Sequence, residues 1–179
     1  MAKVLYSATM SLDGFIAGPG GDMSWLAEFL VEDPFIDDLV SRIKVILAGR
    51  RTFDGDDPNR GTDKEGAFQG AWQGPQVVLT HRPPATPVPG VTFVDDLGRA
   101  VAAAKEAAGD GYVNVLGADV ARQCLEAGHV DEILVFVAPI LLGDGTRLFA
   151  HPGGATVKLE PIQAASLPTA SWLWLRVVG

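Results

Sequence analysis

A chain of 179 residues, 47% hydrophobic and 20% charged, has the size and composition of a single globular domain over 1–179 with a substantial core. Its formal net charge of −8 opposes binding to nucleic-acid backbones and anionic membranes, so any phosphate-bearing ligand must be gripped by a local basic cluster. No apolar run approaches the roughly 20 residues that cross a bilayer, and Met1-Ala2-Lys3 leads straight into a strand-like segment, so the expectation is a cytoplasmic protein.

In chain order, Lys3 to Thr9 reads as a buried strand, rich in Val, Leu and Tyr. Pro34 to Ile43 reads as a helix with the apolar stripe Ile36, Leu39, Val40 and Ile43, opened by Asp33 as N-cap before a proline at the first helical position. Val45 to Ala48 is the next strand. Gly55 to Gly74 is the longest irregular stretch, and its Phe68 and Trp72 admit either a binding loop or a surface excursion. Strands follow at Gln76 to Thr80, Tyr112 to Leu116 and Glu132 to Val137, with helices at Leu97 to Ala108 and Val120 to Ala127. Asp95 and Asp96 are cap candidates for the first of these helices and Gly109 closes it.

Alternation of this kind predicts an α/β fold with a mainly parallel sheet covered on both faces by helices, and ligands at the carboxyl ends of its strands. The tail departs from it. Val157 to Leu159 and Ser171 to Val178 can pair across Ser166 to Thr169 as an antiparallel hairpin finishing the sheet. Trp172-Leu173-Trp174-Leu175 is apolar on both alternating faces, which suggests cover on both sides by core or by a second subunit, hence a homodimer.

The chemistry-bearing residues gather at strand ends. Strand Val45 to Ala48 runs into Gly49-Arg50-Arg51-Thr52, where a glycine permits close approach and two cations sit beside a hydroxyl. Gln76 to Leu79 runs into Thr80-His81-Arg82, a similar arrangement. Val113 to Leu116 leads into Gly117-Ala118 and a helix whose unpaired amides could receive a pyrophosphate. Asp119 would repel phosphates if it faced them, so it is expected to turn aside and cap the helix. Each turn alone could be an ordinary solvated surface feature. Three together point to an NADP-type cofactor, with Arg favoured for its fork of donors. His81, His129 and His151 are scattered and no Cys pair exists, so no metal is expected. Cys124 sits in a helical apolar pattern and reads as a core side chain.

Gly-Arg-Arg-Thr-Phe at 49–53, Val-Leu-Thr-His-Arg-Pro at 78–83, Leu-Gly-Ala-Asp-Val-Ala-Arg-Gln at 116–123 and Pro-Ile-Leu-Leu-Gly-Asp-Gly at 139–145 resemble, in order and spacing, the signature of the dihydrofolate-reductase-like superfamily. The opening Ser11-Leu12-Asp13-Gly14-Phe15-Ile16-Ala17-Gly18 is similar to the reductase domain of bacterial riboflavin synthesis, the RibD C-terminal family. The resemblance runs from about Tyr6 to Phe149 and implies a three-layer α/β/α fold. It also implies NADPH, with nicotinamide near Ala8, Ile16 and Ala17, adenosine phosphate at Arg50, Arg51, Thr80, His81 and Arg82, and diphosphate along Gly117 to Ala121, where Leu116 stands in place of the usual first glycine. The activity implied is reduction of a heterocyclic substrate. The riboflavin-pathway 5-amino-6-(5-phosphoribosylamino)uracil is the leading candidate, and a dihydrofolate or pterin reductase and a non-catalytic NADP-binding protein are the rivals.

Asp13, Asp33 and Asp37 are the candidate catalytic acids, with Asp38 beside them; Asp33 also reads as a helix cap, and Asp37 and Asp38 as solvent-facing. Trp25 is the candidate to stack on a flat substrate, or else packs in the core. Arg60, Lys64 and Arg147 are the candidate contacts for a sugar phosphate. Deamination is excluded, since neither a His-x-Glu nor a Pro-Cys-x-x-Cys sequence is present.

Overall fold

A computed structural model describes residues 1–29, 33–55, 57 and 59–179. Its elements are β1 (Lys3–Ser11), β2 (Phe15–Ala17), α1 (Pro34–Arg42), β3 (Ile43–Gly49), α2 (Arg50–Phe53), β4 (Gln76–Leu79), β5 (Val91–Val94) and α3 (Leu97–Ala108), then β6 (Tyr112–Leu116), α4 (Ala118–Glu126), β7 (Glu132–Ala138), β8 (Thr146–Arg147), β9 (Lys158–Ser166) and β10 (Ser171–Val178). Two short 3-10 segments, Pro19–Gly21 and Ser24–Phe29, follow β2.

Eight strands form one sheet in the order β5-β4-β3-β6-β1-β7-β10-β9. Every pairing from β5 to β7 is parallel, and β10 and β9 close the sheet antiparallel. The expected α/β architecture is therefore present, with the hairpin at one edge. A second, two-stranded antiparallel sheet joins β2 to β8.

Burial explains why these segments are strands. Val4, Tyr6, Val45, Val113 and Val115 face one side of the sheet and pack under α3 and α4 with Ala100, Ala104, Val120 and Cys124. Leu5, Ile46, Leu134, Trp172 and Trp174 face the other side under α1, whose Leu39 is buried. Strands buried on both faces read as continuous apolar runs, as these do. Phe35 of α1 stacks on Trp172 with ring centroids 4.2 Å apart. Trp172 and Trp174 are thus covered by α1, while Leu173 on the opposite face stays 44% exposed.

The amino end of the sheet is sealed by a buried polar cluster. Glu132 accepts from Lys3 Nζ at 2.7 Å, Tyr112 Oη at 2.8 Å and Trp174 Nε1 at 2.9 Å. Burial alone would raise its pKa, but these three hydrogen bonds and the Lys3 charge outweigh burial and hold it below the usual range. Burial, with the hydrogen bond to Glu132 and its charge, pushes the Tyr112 phenol up to about 12.

The stretch Gly55 to Gly74 is anchored to the fold. Trp72 is buried and its Nε1 donates to the Ile43 carbonyl at 3.0 Å, so the stretch is not a free surface excursion. Phe68 and Gln69 both have positive φ, 53° and 56°, a backbone region costly for side chains of this kind.

Candidate cofactor and substrate site

The carboxyl ends of the parallel strands open on one cavity of about 1620 Å³. Single small-molecule pockets commonly measure roughly 300–1,000 Å³, so there is room here for a dinucleotide and a second ligand side by side. Its position at the strand ends is where open α/β sheets bind ligands.

Three adjacent strands build the first part of the cavity. Gly49 ends β3 and Arg50, Arg51 and Thr52 follow it, Thr80 and His81 follow β4, and Leu116 ends β6 with Gly117 to Val120 after it. The Gly-Arg-Arg-Thr-Phe segment, read from sequence as a turn, is the one-turn helix α2. Arg50 bonds the Asp54 carboxylate through Nε and donates to the Arg82 carbonyl at 2.8 Å through Nη1, tying the β3 end to the β4 end. Arg82 contributes that carbonyl and is absent from the cavity wall, and Ala121 is buried on the core face of α4.

Gly117 caps α4 with φ 94° and no side-chain hydrogen bond, so the first amides of the helix face the cavity unshielded. Asp119 does turn aside, but not as a cap. It accepts from Arg122 Nη2 at 3.0 Å and Gln123 Nε2 at 2.9 Å along the helix. Asp95 and Asp96, at the β5 end, are committed to the Arg99 side chain and to the Arg99 amide. Ala8, Ile16 and Ala17 form the wall on the same side of the sheet. The small sheet holds this wall in place, because Gly145, with φ 135°, lets the β8 turn lie against the Ala17 carbonyl where a Cβ could not fit.

The second part of the cavity lies on the α1 side. Ser7 and Thr9 of β1 face it with Phe136 of β7, Ile36 and Leu39 of α1, and Phe68 of the long loop. Met23, Leu26 and Phe29 add apolar wall from the 3-10 segment after β2. Ser7 is 6% exposed and donates through Oγ to Asn114 Oδ1 at 2.8 Å. Asn114 is wholly buried and its Nδ2 has no partner among the described residues. Sequence reasoning missed this pair, although two polar residues at sheet-facing positions inside otherwise apolar strands were the signal for it.

The three candidate acids stand away from this cavity. Asp13 accepts from Ser11 Oγ at 2.6 Å and from the amides of Leu142 at 3.1 Å and Gly143 at 2.7 Å. Those bonds, the Ser11 one first, hold its carboxyl down at about 2, so it pins the β1–β2 loop as a carboxylate. Asp33 caps α1 by accepting from the Phe35 amide at 2.7 Å. Asp37 is exposed on the first turn of α1, as is Asp38 farther along it. None lines the cavity. Trp25 does not line it either and packs toward Phe29 with ring centroids 6.1 Å apart. Cys124 is buried and its thiol is pushed up to about 11, as an inert core residue requires. Among the described residues no group of His, Cys, Asp and Glu could hold a metal, and no helix is long and apolar enough to cross a membrane.

A mainly parallel sheet with an antiparallel hairpin and a long cavity across its strand ends defines the dihydrofolate-reductase-like class of α/β proteins. Within that class the chain belongs to the RibD C-terminal domain family, whose model matches residues 2–170. It is 30% identical over 148 residues to the uncharacterized protein YwjB of Bacillus subtilis (strain 168), covering 82% of this chain and 81% of that one. Uncharacterized YyaP of the same organism is 25% identical over 155 residues, covering 82% and 80%. Among solved structures, a putative riboflavin biosynthesis protein from Shewanella sp. PV-4 superposes with a TM-score of 0.76 at 23% identity over 100% of both chains. The Thermotoga maritima deaminase and 5-amino-6-(5-phosphoribosylamino)uracil reductase gives 0.71 at 18% identity, over 99% of this chain and 57% of that one. The Saccharomyces cerevisiae riboflavin biosynthesis reductase Rib7 gives 0.66 at 19% identity, over 99% and 90%. Two of these three proteins are named reductases of riboflavin synthesis and the third a putative riboflavin biosynthesis protein, and all three share this fold.

Proposed function

We propose that the protein is an NADPH-dependent reductase of a planar heterocycle, of the pyrimidine kind handled in riboflavin synthesis. The observation that carries this reading is the convergence of the β3, β4 and β6 ends, with Arg50, Arg51, Thr80 and the α4 amides, on a cavity that continues past Ala8 and Ile16 to the α1 side. The residues fit a dinucleotide. Gly117 leaves the α4 amides open, and Arg50 and Arg51 offer guanidinium groups to a phosphate, with His81 beside them in the wall.

The bound cofactor would supply the hydride. The chain's own work is to hold the two ligands against each other and to keep water from the reacting carbon, with Phe136, Phe68, Ile36 and Leu39 forming an apolar wall for the second ligand. The folate reading wants a buried carboxylate beside the ring. Glu132 is the buried carboxylate among the described residues, and it lies at the opposite end of the sheet.

Titration with NADPH and separately with NADH, followed by quenching of the four tryptophans, tests the reading. A clear preference for NADPH supports it, and failure to bind either removes it.

The assembly belongs to the same proposal. Leu159, Ile162 and Leu173 are 40%, 40% and 44% exposed. Leu159 and Leu173 share the sheet face opposite Trp172 and Trp174, and β9 is an edge strand exposed along nearly its whole length. Arg176 and Glu160 pair at 3.7 Å on the other face of the hairpin, which leaves the Leu159 and Leu173 face largely apolar, as a self-complementary contact with a second copy requires.

A further inference from the structure

Arg50, Arg51, His81, Arg122 and Arg147 line the cavity, and their distribution is lopsided. The first three stand at the ends of β3 and β4. Arg122 is on α4 and paired with Asp119 and Glu126. Arg147 lies over the Phe15 ring, 4.6 Å from its centroid, with Nη1 turned to the Asp13 carbonyl at 3.4 Å.

On the α1 side the described wall residues Ser7, Thr9, Ile36, Leu39, Phe68 and Phe136 include no cation. The five residues outside the description are Leu, Val, Glu, Asp and Pro in sequence, so they add none. Arg60 is absent from the cavity wall and donates to the Gly55 carbonyl, and Lys64 is likewise absent from that wall. Among the described residues, the charged group that the long loop places in the cavity wall is Asp57, which accepts from the Asn59 and Gly66 amides. A phosphate brought against the α1-side residues loses water and gains no cation from them.

The polar feature of this half is Ser7. Its proton is committed to Asn114 Oδ1, so the hydroxyl oxygen turns its lone pairs to the cavity as an acceptor for a ring N–H. The Nδ2 of the same Asn114 is buried with no partner among the described residues, a costly arrangement that calls for an explanation.

We propose that the α1-side half of the cavity takes an uncharged planar heterocycle with no phosphate-bearing arm, oriented by the Ser7 oxygen that Asn114 holds. The proposal rests on the reductase reading above and departs from the phosphoribosyl substrate that the family suggests.

The test measures binding to the NADPH-loaded protein of 5-amino-6-(ribosylamino)uracil and of its 5′-phosphate, at low and high salt. The expected result is at least about tenfold tighter binding of the phosphate-free compound, little affected by salt. Ser7→Ala weakens that compound about tenfold and Ser7→Thr restores it, both with unchanged NADPH affinity. Equal or tighter binding of the phosphate overturns the proposal, most directly if Arg147→Ala abolishes the phosphate preference. Failure of the phosphate-free compound to bind the NADPH-loaded protein also overturns it, while leaving the cofactor reading in place. Failure of NADPH itself to bind removes both.

Discussion

The Thr52 side chain occupies the space over Gly117, so that a Cβ at Gly117 would collide with Thr52 Oγ1. The ends of β3 and β6 therefore meet without a side chain between them, and the α4 amides are reached only because residue 117 is glycine. Gly117 also has φ 94°. Gly117→Ala should cost about 1–3 kcal/mol of stability from the backbone alone, with a further loss as Thr52 is displaced. Thermal unfolding should show the drop, and cofactor affinity should fall with it.

Arg51 is exposed at the cavity edge, whereas Arg50 is held by Asp54 and the Arg82 carbonyl. Arg51→Ala should weaken NADPH by about 1–3 kcal/mol through loss of a charge-assisted bond to the 2′-phosphate, and barely change NADH. Arg82→Ala should do less, since its side chain is not part of the wall. Equal losses for the two dinucleotides in Arg51→Ala would remove the 2′-phosphate from this end of the cavity.

Asp33 and Asp37 can be separated from catalysis by a simple comparison. Asp33→Ala removes the cap on α1 and should cost about 1 kcal/mol in urea unfolding, while turnover at saturating ligand stays near that of the parent. Asp37→Asn should leave both nearly unchanged. A loss of turnover with intact stability in either variant would return the acid role to α1.

Glu132 makes the fold sensitive to acid. Its folded-state pKa lies below the ordinary glutamate value, because the Lys3, Tyr112 and Trp174 hydrogen bonds and the Lys3 charge outweigh burial. The stabilisation is thus fully present above that ordinary value and is lost as pH falls through the lowered one. Urea midpoints should decline on acidification across that window, and the component should vanish in Glu132→Gln. Glu132→Ala should cost about 3 kcal/mol, toward the low end for a broken buried pair because the Lys3 end is partly solvated.

Leu173→Asp should convert a dimer to a monomer in sedimentation velocity without unfolding, because Leu173 is exposed in the single chain. A parent protein that sediments as a monomer at all concentrations would end the dimer proposal.

Elements with a strong physical signature were legible in the sequence. The runs Tyr112 to Leu116 and Leu97 to Ala108 were read with the bounds they have in the fold, one as a strand buried on both faces, the other as a helix capped by Asp96 and closed by Gly109. The strands β2, β5 and β8 were missed because they are short and take their shape from partners. Strand β9 was read only to Leu159, since Pro161, Gln163 and its exposed small residues carry no alternating pattern. The cofactor half of the site was legible because it sits at strand ends marked by Gly, Arg and Thr. The second half was not, because Ile36, Leu39 and Phe136 look like core, and only three-dimensional assembly shows that they also face a cavity. Phe68 and Gln69 were opaque for another reason: nothing local predicts positive φ at two consecutive residues that are not glycine.

Residues 49, 80 and 117 come from well-separated parts of the chain, and they meet because β4, β3 and β6 are neighbours in the sheet. A partly folded chain would own no fraction of this grip, so affinity should arrive with the last of the sheet. A ligand bound only by the native form adds about 2.7 kcal/mol of stability at a hundredfold excess over its Kd. Resistance to proteolysis can therefore serve as a ligand assay in its own right, sorting candidate ring compounds before any of them has been shown to turn over.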